Sequence, residues 1–176
     1  MKKNLLIILV VILLIVGGVE IFLTLQNSNN NSNNIDQSAK SENQEDVYAF
    51  ADGGKEIILG EEFSKEKLGE EEAYSEIASC AFEGLDKTYT YTDYEITTFP
   101  DGKKDRIYSI YFLDTEVATK EGVKVSDSID DMINAYGEDY EKQGNQYTYT
   151  KGKTNLEFII ENDVITSIQY TYIAEN

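Results

Sequence analysis

Carboxylates are the residues in this chain whose spacing could do chemistry. Histidine is absent and cysteine occurs once. Glu70-Glu71-Glu72 and Asp130-Asp131 set acids side by side, the raw material for acid/base work or for holding a metal. Glycoside hydrolysis needs two carboxylates facing each other across a cleft, and adjacent acids do not supply that arrangement. Both groups read as a solvated loop or helix start. Asp101-Gly-Lys-Lys-Asp105 offers oxygens to calcium, a hard cation. It lacks aspartates at alternate positions and carries two lysines, so a hairpin turn is expected. Cys80 has no histidine to activate it and reads as a small buried apolar residue. Without histidine there can be no Ser-His or Cys-His nucleophile pair and no histidine metal site. We expect no catalytic residue, no metal and no cofactor.

Charge narrows the partners. Formal charge is −18, and from Asp46 onward 29 acidic residues stand against 12 basic ones. That excess repels nucleic acid and anionic headgroups. It suits solubility, a bound cation or a basic partner. One cysteine cannot form a disulfide within the chain, so the fold must stand on its core. A domain of about 130 residues buries roughly two-thirds of its unfolded surface, which is enough.

The N-terminus reads as an anchor. Lys2 and Lys3 precede fifteen apolar or glycine residues, Leu5 to Val19, and IFLTL continues to Leu25. Residues 1–25 are therefore expected to form a cytoplasmic tip and a single-pass transmembrane helix, with the remainder extracytoplasmic. A cleaved signal peptide, giving a secreted protein, is the alternative. Residues 26–45 hold 14 Asn, Ser or Gln among 20 and read as a disordered tether. Its reach as a flexible coil is about 25 Å.

Residues 46–176 are expected to be one α+β domain. Asp46 to Leu59 reads as a hairpin turning at Asp-Gly-Gly. Phe63 to Gly69 reads as a short helix with Ser64 as cap. Glu70 to Phe82 is ambiguous between helix and an extended approach to the sheet. In Ser126 to Gly137, Ile129, Met132, Ile133 and Tyr136 form one apolar stripe of a helix. Ser126 or Ser128 can cap it.

Two segments, Lys87 to Asp114 and Gln146 to Tyr172, alternate apolar with polar residues over three runs each. YTYT at Tyr89 and at Tyr147, and I-x-S-I at Ile107 and at Ile165, lie 58 residues apart. The expectation is a tandem repeat, about 55–114 and 122–173, each unit one helix followed by three strands. The two units would join into one antiparallel sheet with both helices on one face.

Strand parity then sorts the side chains. Tyr147, Tyr149, Leu156, Phe158, Ile160, Ile168, Tyr170 and Tyr172 share the core face, with Tyr89, Tyr91, Ile96, Tyr108, Ile110 and Phe112 matched to them. The opposite face is rich in threonine and serine. The candidate contact residues on it are Thr97, Phe99, Ser109, Tyr111, Thr148, Glu157, Ile159 and Gln169.

The unit of strand, glycine-terminated helix and three-stranded meander, taken twice, resembles the beta-lactamase-inhibitor-protein-like arrangement. More loosely it resembles the outer-membrane assembly lipoprotein domain. SCAFEGLDK at Ser79–Lys87, with KTYTY after it and KEGVKVSDSIDDMINAYG later, resembles uncharacterised anchored or exported proteins of low-GC Gram-positive bacteria. That last likeness covers nearly all of Val47 to Tyr172 and brings no activity. The first implies a binding module, with no inhibitory residue carried over. The expected function is a non-enzymatic, membrane-anchored extracytoplasmic domain binding a protein or cell-wall partner. The alternatives are a carboxylate hydrolase of the envelope and an accessory or sensor subunit beside another membrane protein.

Overall fold

Alternation of apolar and polar residues produces strands almost throughout. The computed structural model describes residues 46–174; the expected anchor and tether lie outside them. Ten strands run β1 Ala49–Asp52, β2 Lys55–Ile58, β3 Ala73–Ala78, β4 Leu85–Thr90, β5 Tyr94–Asp101, β6 Lys104–Phe112, β7 Glu141–Gln143, β8 Gln146–Lys151, β9 Thr154–Glu161 and β10 Val164–Tyr172. Two helices, α1 Lys65–Leu68 and α2 Ile129–Tyr136, interrupt them. β1 and β2 pair as a separate hairpin. The other strands form one antiparallel sheet in the order β3-β4-β5-β6-β10-β9-β8-β7. Among the described residues no helix is long and apolar enough to cross a membrane.

The expected α+β architecture of two helix–three-strand repeats is therefore corrected. The domain is mainly β, and neither half of the sheet is a helix-plus-strand unit. Each half is a four-strand meander. Helix α1 is a single turn, and the Ser64 hydroxyl makes no cap bond there. Four residues offer little beyond a nucleus, and a helix nucleus is unfavourable alone. The ambiguous segment after it becomes the edge strand β3, every residue of which is exposed. β7, three exposed residues, is the opposite edge. Neither edge strand alternates in burial, so periodicity could not reveal them.

What the halves do share is register. Ile96 pairs with Tyr89 and Ile110, while Phe158 pairs with Tyr147 and Ile168. Both last strands also bulge at the same place. β6 inserts Tyr108 between Ile107 and Ser109, and β10 inserts Thr166 between Ile165 and Ser167. A bulge leaves the extra residue unpaired and re-aims its side chain. Tyr108, assigned by parity to the core, is accordingly 39% exposed.

The core lies on one face of the large sheet. Tyr89, Ile96, Ile110, Phe112, Tyr147, Tyr149, Leu156, Phe158, Ile168 and Tyr170 are buried there. Phe50 and Ile57 of the hairpin, Val123 of the loop before α2 and Met132 of α2 close over them. Phe50 meets the rings of Tyr94, Phe112 and Tyr170 at 5.0, 5.2 and 6.4 Å. Gly53 and Gly54 both take positive φ in the hairpin turn, which Asp-Gly-Gly supplies without strain. Helix α2 starts at a full capping box. The Ser128 hydroxyl accepts from the Asp131 N–H, and the Asp131 carboxylate accepts from the Ser128 N–H. At its other end the Tyr149 hydroxyl donates to the Gly137 carbonyl at 2.7 Å.

The two meanders meet along only three residue pairs, Ser109–Thr171, Ile110–Tyr170 and Tyr111–Gln169. Before Ser109, β6 is partnered instead by the segment after β2. The Gly60 N–H donates to the Ile107 carbonyl at 2.8 Å, and Ile107 returns a bond to Glu61 at 3.0 Å. The strands thus diverge at one end of the junction, and Tyr172 fills the gap.

Candidate functional site

The hairpin, α1 and α2 pack on the core face, leaving Phe82 of the β3–β4 connection to pack on Phe99 of the opposite face. Its middle forms a trough of about 670 Å³. The floor is Thr97 and Phe99 of β5, Tyr108 of β6, Gln169 and Thr171 of β10, and Asn155 and Glu157 of β9. Ser79 to Phe82, in the β3–β4 connection, and Tyr172 to Ala174, at and beyond the end of β10, contribute the rims. Alternation along each strand dictates this polarity, because the intervening residues are the buried core set.

The aromatic residues at one end are held tightly. Phe99 stacks on Tyr172 with ring centroids 5.9 Å apart and planes 11° from parallel. Phe82 meets it at 4.8 Å and Tyr108 meets it edge-on at 6.2 Å. Phe99 itself is only 7% exposed. It supports Tyr108 and Tyr172 more than it offers surface of its own. Tyr172 also lies against Gly60, where a Cβ would come within 2.5 Å of its ring and φ is +80°. Gly60 lets the ring lie flat at the gap between the two meanders.

The polar floor mixes donors and acceptors. Glu157 accepts from the Thr171 hydroxyl at 3.0 Å. Asn155 accepts from Thr150 through its side-chain oxygen at 2.9 Å, which leaves its NH2 for another partner. One carboxylate oxygen of Asp86, Oδ1, is buried without a hydrogen-bond partner. Among the described residues no lysine or arginine lines the trough.

Of the eight candidate contact residues, Thr97, Phe99, Glu157 and Gln169 come together in this lining. Ser109 is buried between Thr97 and Thr171, its neighbours on the adjoining strands. Tyr111 is 37% exposed but lies beyond the trough, paired with Glu95 and Gln169. Thr148 and Ile159 are half-buried further across the sheet and do not line it. Sequence reasoning missed Tyr108, because the bulge hides its direction. It also passed over Asp86, although Asp86 alternates with Thr88 and Thr90 along β4. Cys80, expected to be buried, is exposed on the rim.

Most of the other acidic groups singled out in the sequence are engaged structurally. Asp101 accepts from Arg106 and Asp105 from Lys87, so the turn's oxygens are engaged in ion pairs. Glu71 pairs with Lys65, and Glu72 accepts from Thr92. Asp131 belongs to the cap of α2. Among the described residues, no group of three or more carboxylate or thiol side chains gathers as a metal site.

No family model matches this chain, and no curated protein and no solved structure matches it either.

Proposed function

We propose that this chain is a non-enzymatic, membrane-anchored extracytoplasmic domain that binds a protein or cell-wall component in the open-face trough. The observation that carries the reading is the asymmetry of the sheet. One face is covered by the hairpin, the single turn and α2, while the other keeps a polar concavity with aromatic rings at one end. A concave site with a few convergent polar groups is the usual form of a ligand site. The apolar run Leu5–Leu25 and the polar segment after it supply anchor and spacer in this reading.

A carboxylate hydrolase is less well supported. The trough's acids, Asp86 on β4 and Glu157 on β9, are separated by four strand spacings. That is about 19 Å along the sheet. Paired carboxylates of glycoside hydrolysis lie only about 5–10 Å apart.

The test is a photo-crosslinking residue placed at Thr97 or Gln169 of the full-length protein in intact cells, with Lys103 in the β5–β6 turn as control. The expected result is one adduct from the trough positions and none from the turn. Equal labelling at all three positions, or none, would sink the reading. Capture of an integral membrane protein would specify an accessory role.

A further inference from the structure

We propose that the trough takes a linear glycan whose units are neutral or amino-substituted; this deepens the binding reading above and rests on it. The charge of the lining excludes one large class of ligand. Asp86 and Glu157 line it, and among the described residues no basic side chain does. A phosphorylated, sulfated or uronic-acid chain would bring like charge into a site with nothing to offset it.

Backbone accounting disfavours an extended peptide. β5 is paired to β4 and β6, and β9 to β8 and β10, so the floor strands have no free ladder groups to zip against a peptide backbone. β-augmentation needs a sheet edge. Recognition falls to side chains that alternate donor and acceptor. Asn155 and Gln169 offer NH2 groups, Tyr108 a hydroxyl, Asp86 and Glu157 acceptor oxygens. A ligand meeting all these groups must itself be dense in hydroxyl or amino groups. The ring of Tyr108 adds the complementary apolar surface, held in place by Phe99. A pyranose combines such a C–H face with a rim of hydroxyls. The trough runs across five strands, from β4 to β9, which gives about 19 Å of length for several linked rings.

Calorimetric titration of the full-length protein in detergent tests this directly. The probes are tetrasaccharides of N-acetylglucosamine, glucosamine, glucose and galacturonic acid, and a pentalysine peptide. At least one of the first three is expected to bind, and galacturonate is not. Tyr108→Ala and Gln169→Ala should each weaken that binding by about tenfold, a difference easily read in Kd. Tyr111→Ala, outside the trough, should leave it unchanged, and thermal unfolding of all three variants should match the parent. Failure of every glycan, preference for pentalysine, or binding indifferent to Tyr108 and Gln169 overturns the assignment. A trough crosslink to a cell-surface protein without glycan binding would overturn the glycan alone and leave the binding domain intact. Absence of any trough crosslink would overturn the binding domain itself.

Discussion

Tyrosine is the residue around which this domain's behaviour turns. Tyr91 and Tyr149 are buried, and burial pushes both phenols up to about 12. Tyr94, Tyr136 and Tyr170 are raised further, again mainly by burial, with the acids Asp52 and Glu121 adding to it. A raised folded value means that the native state keeps protons which the unfolded chain releases near its ordinary value of about 10. Stability is then complete below that pH and lost as pH rises from there toward and past 12. Phenolate absorbance from the buried tyrosines should therefore appear only well above their ordinary value. Tyr74, although exposed, is also raised, to about 12, first by its hydrogen bond to Glu76. The buried set should ionise only together with loss of ellipticity. A single smooth titration near the ordinary value, with the fold intact, would contradict this.

At the level of elements, α2 contributes through its start and one face. Met132 is its one fully buried residue, while Ile129, Ile133 and Tyr136 are partly buried against the core. The capping box satisfies backbone donors that eight residues of helix leave open. Ser128→Ala should cost about 1 kcal/mol in chemical denaturation, the typical value for losing such a cap. Ser64→Ala, at the head of the single turn, should cost nothing comparable, since its hydroxyl makes no cap bond. Equal losses would show that the capping box does not discriminate the two helices. Much of this was legible in residues: the α2 stripe, its serine cap, Gly137 and the hairpin at Asp-Gly-Gly. The edge strands were not, because a strand exposed along its whole length has no reason to alternate.

For the molecule as a whole, the small hairpin is as important as the large sheet. Phe50 is fully buried and touches rings from both meanders, Tyr94 and Phe112 on one side and Tyr170 on the other. Phe50→Ala should cost about 3–5 kcal/mol, the range for truncating a buried phenylalanine. If unfolding stays cooperative and two-state, the hairpin is part of one core. A loss below about 1 kcal/mol would instead mark it as a detachable flap. The trough depends on the same assembly, since its floor takes residues from β5 and β6 of one meander and β9 and β10 of the other.

By itself the sequence determined the strands of the sheet interior and which side of each is apolar. Side-chain period two fixes that wherever one face is buried. It therefore placed Thr97, Glu157 and Gln169 on the open face and most tyrosines inside. Tertiary structure alone decided where the two meanders join, that Tyr108 turns outward, and that Phe99 is a support under Tyr172. A bulge is one extra residue with no signature in alternation, and a junction between distant strands is set by packing of the whole core. Two of the carboxylates that first suggested chemistry, Asp105 and Glu72, were likewise engaged by neighbours far along the chain. Lys87 engages Asp105 across 18 residues and Thr92 engages Glu72 across 20.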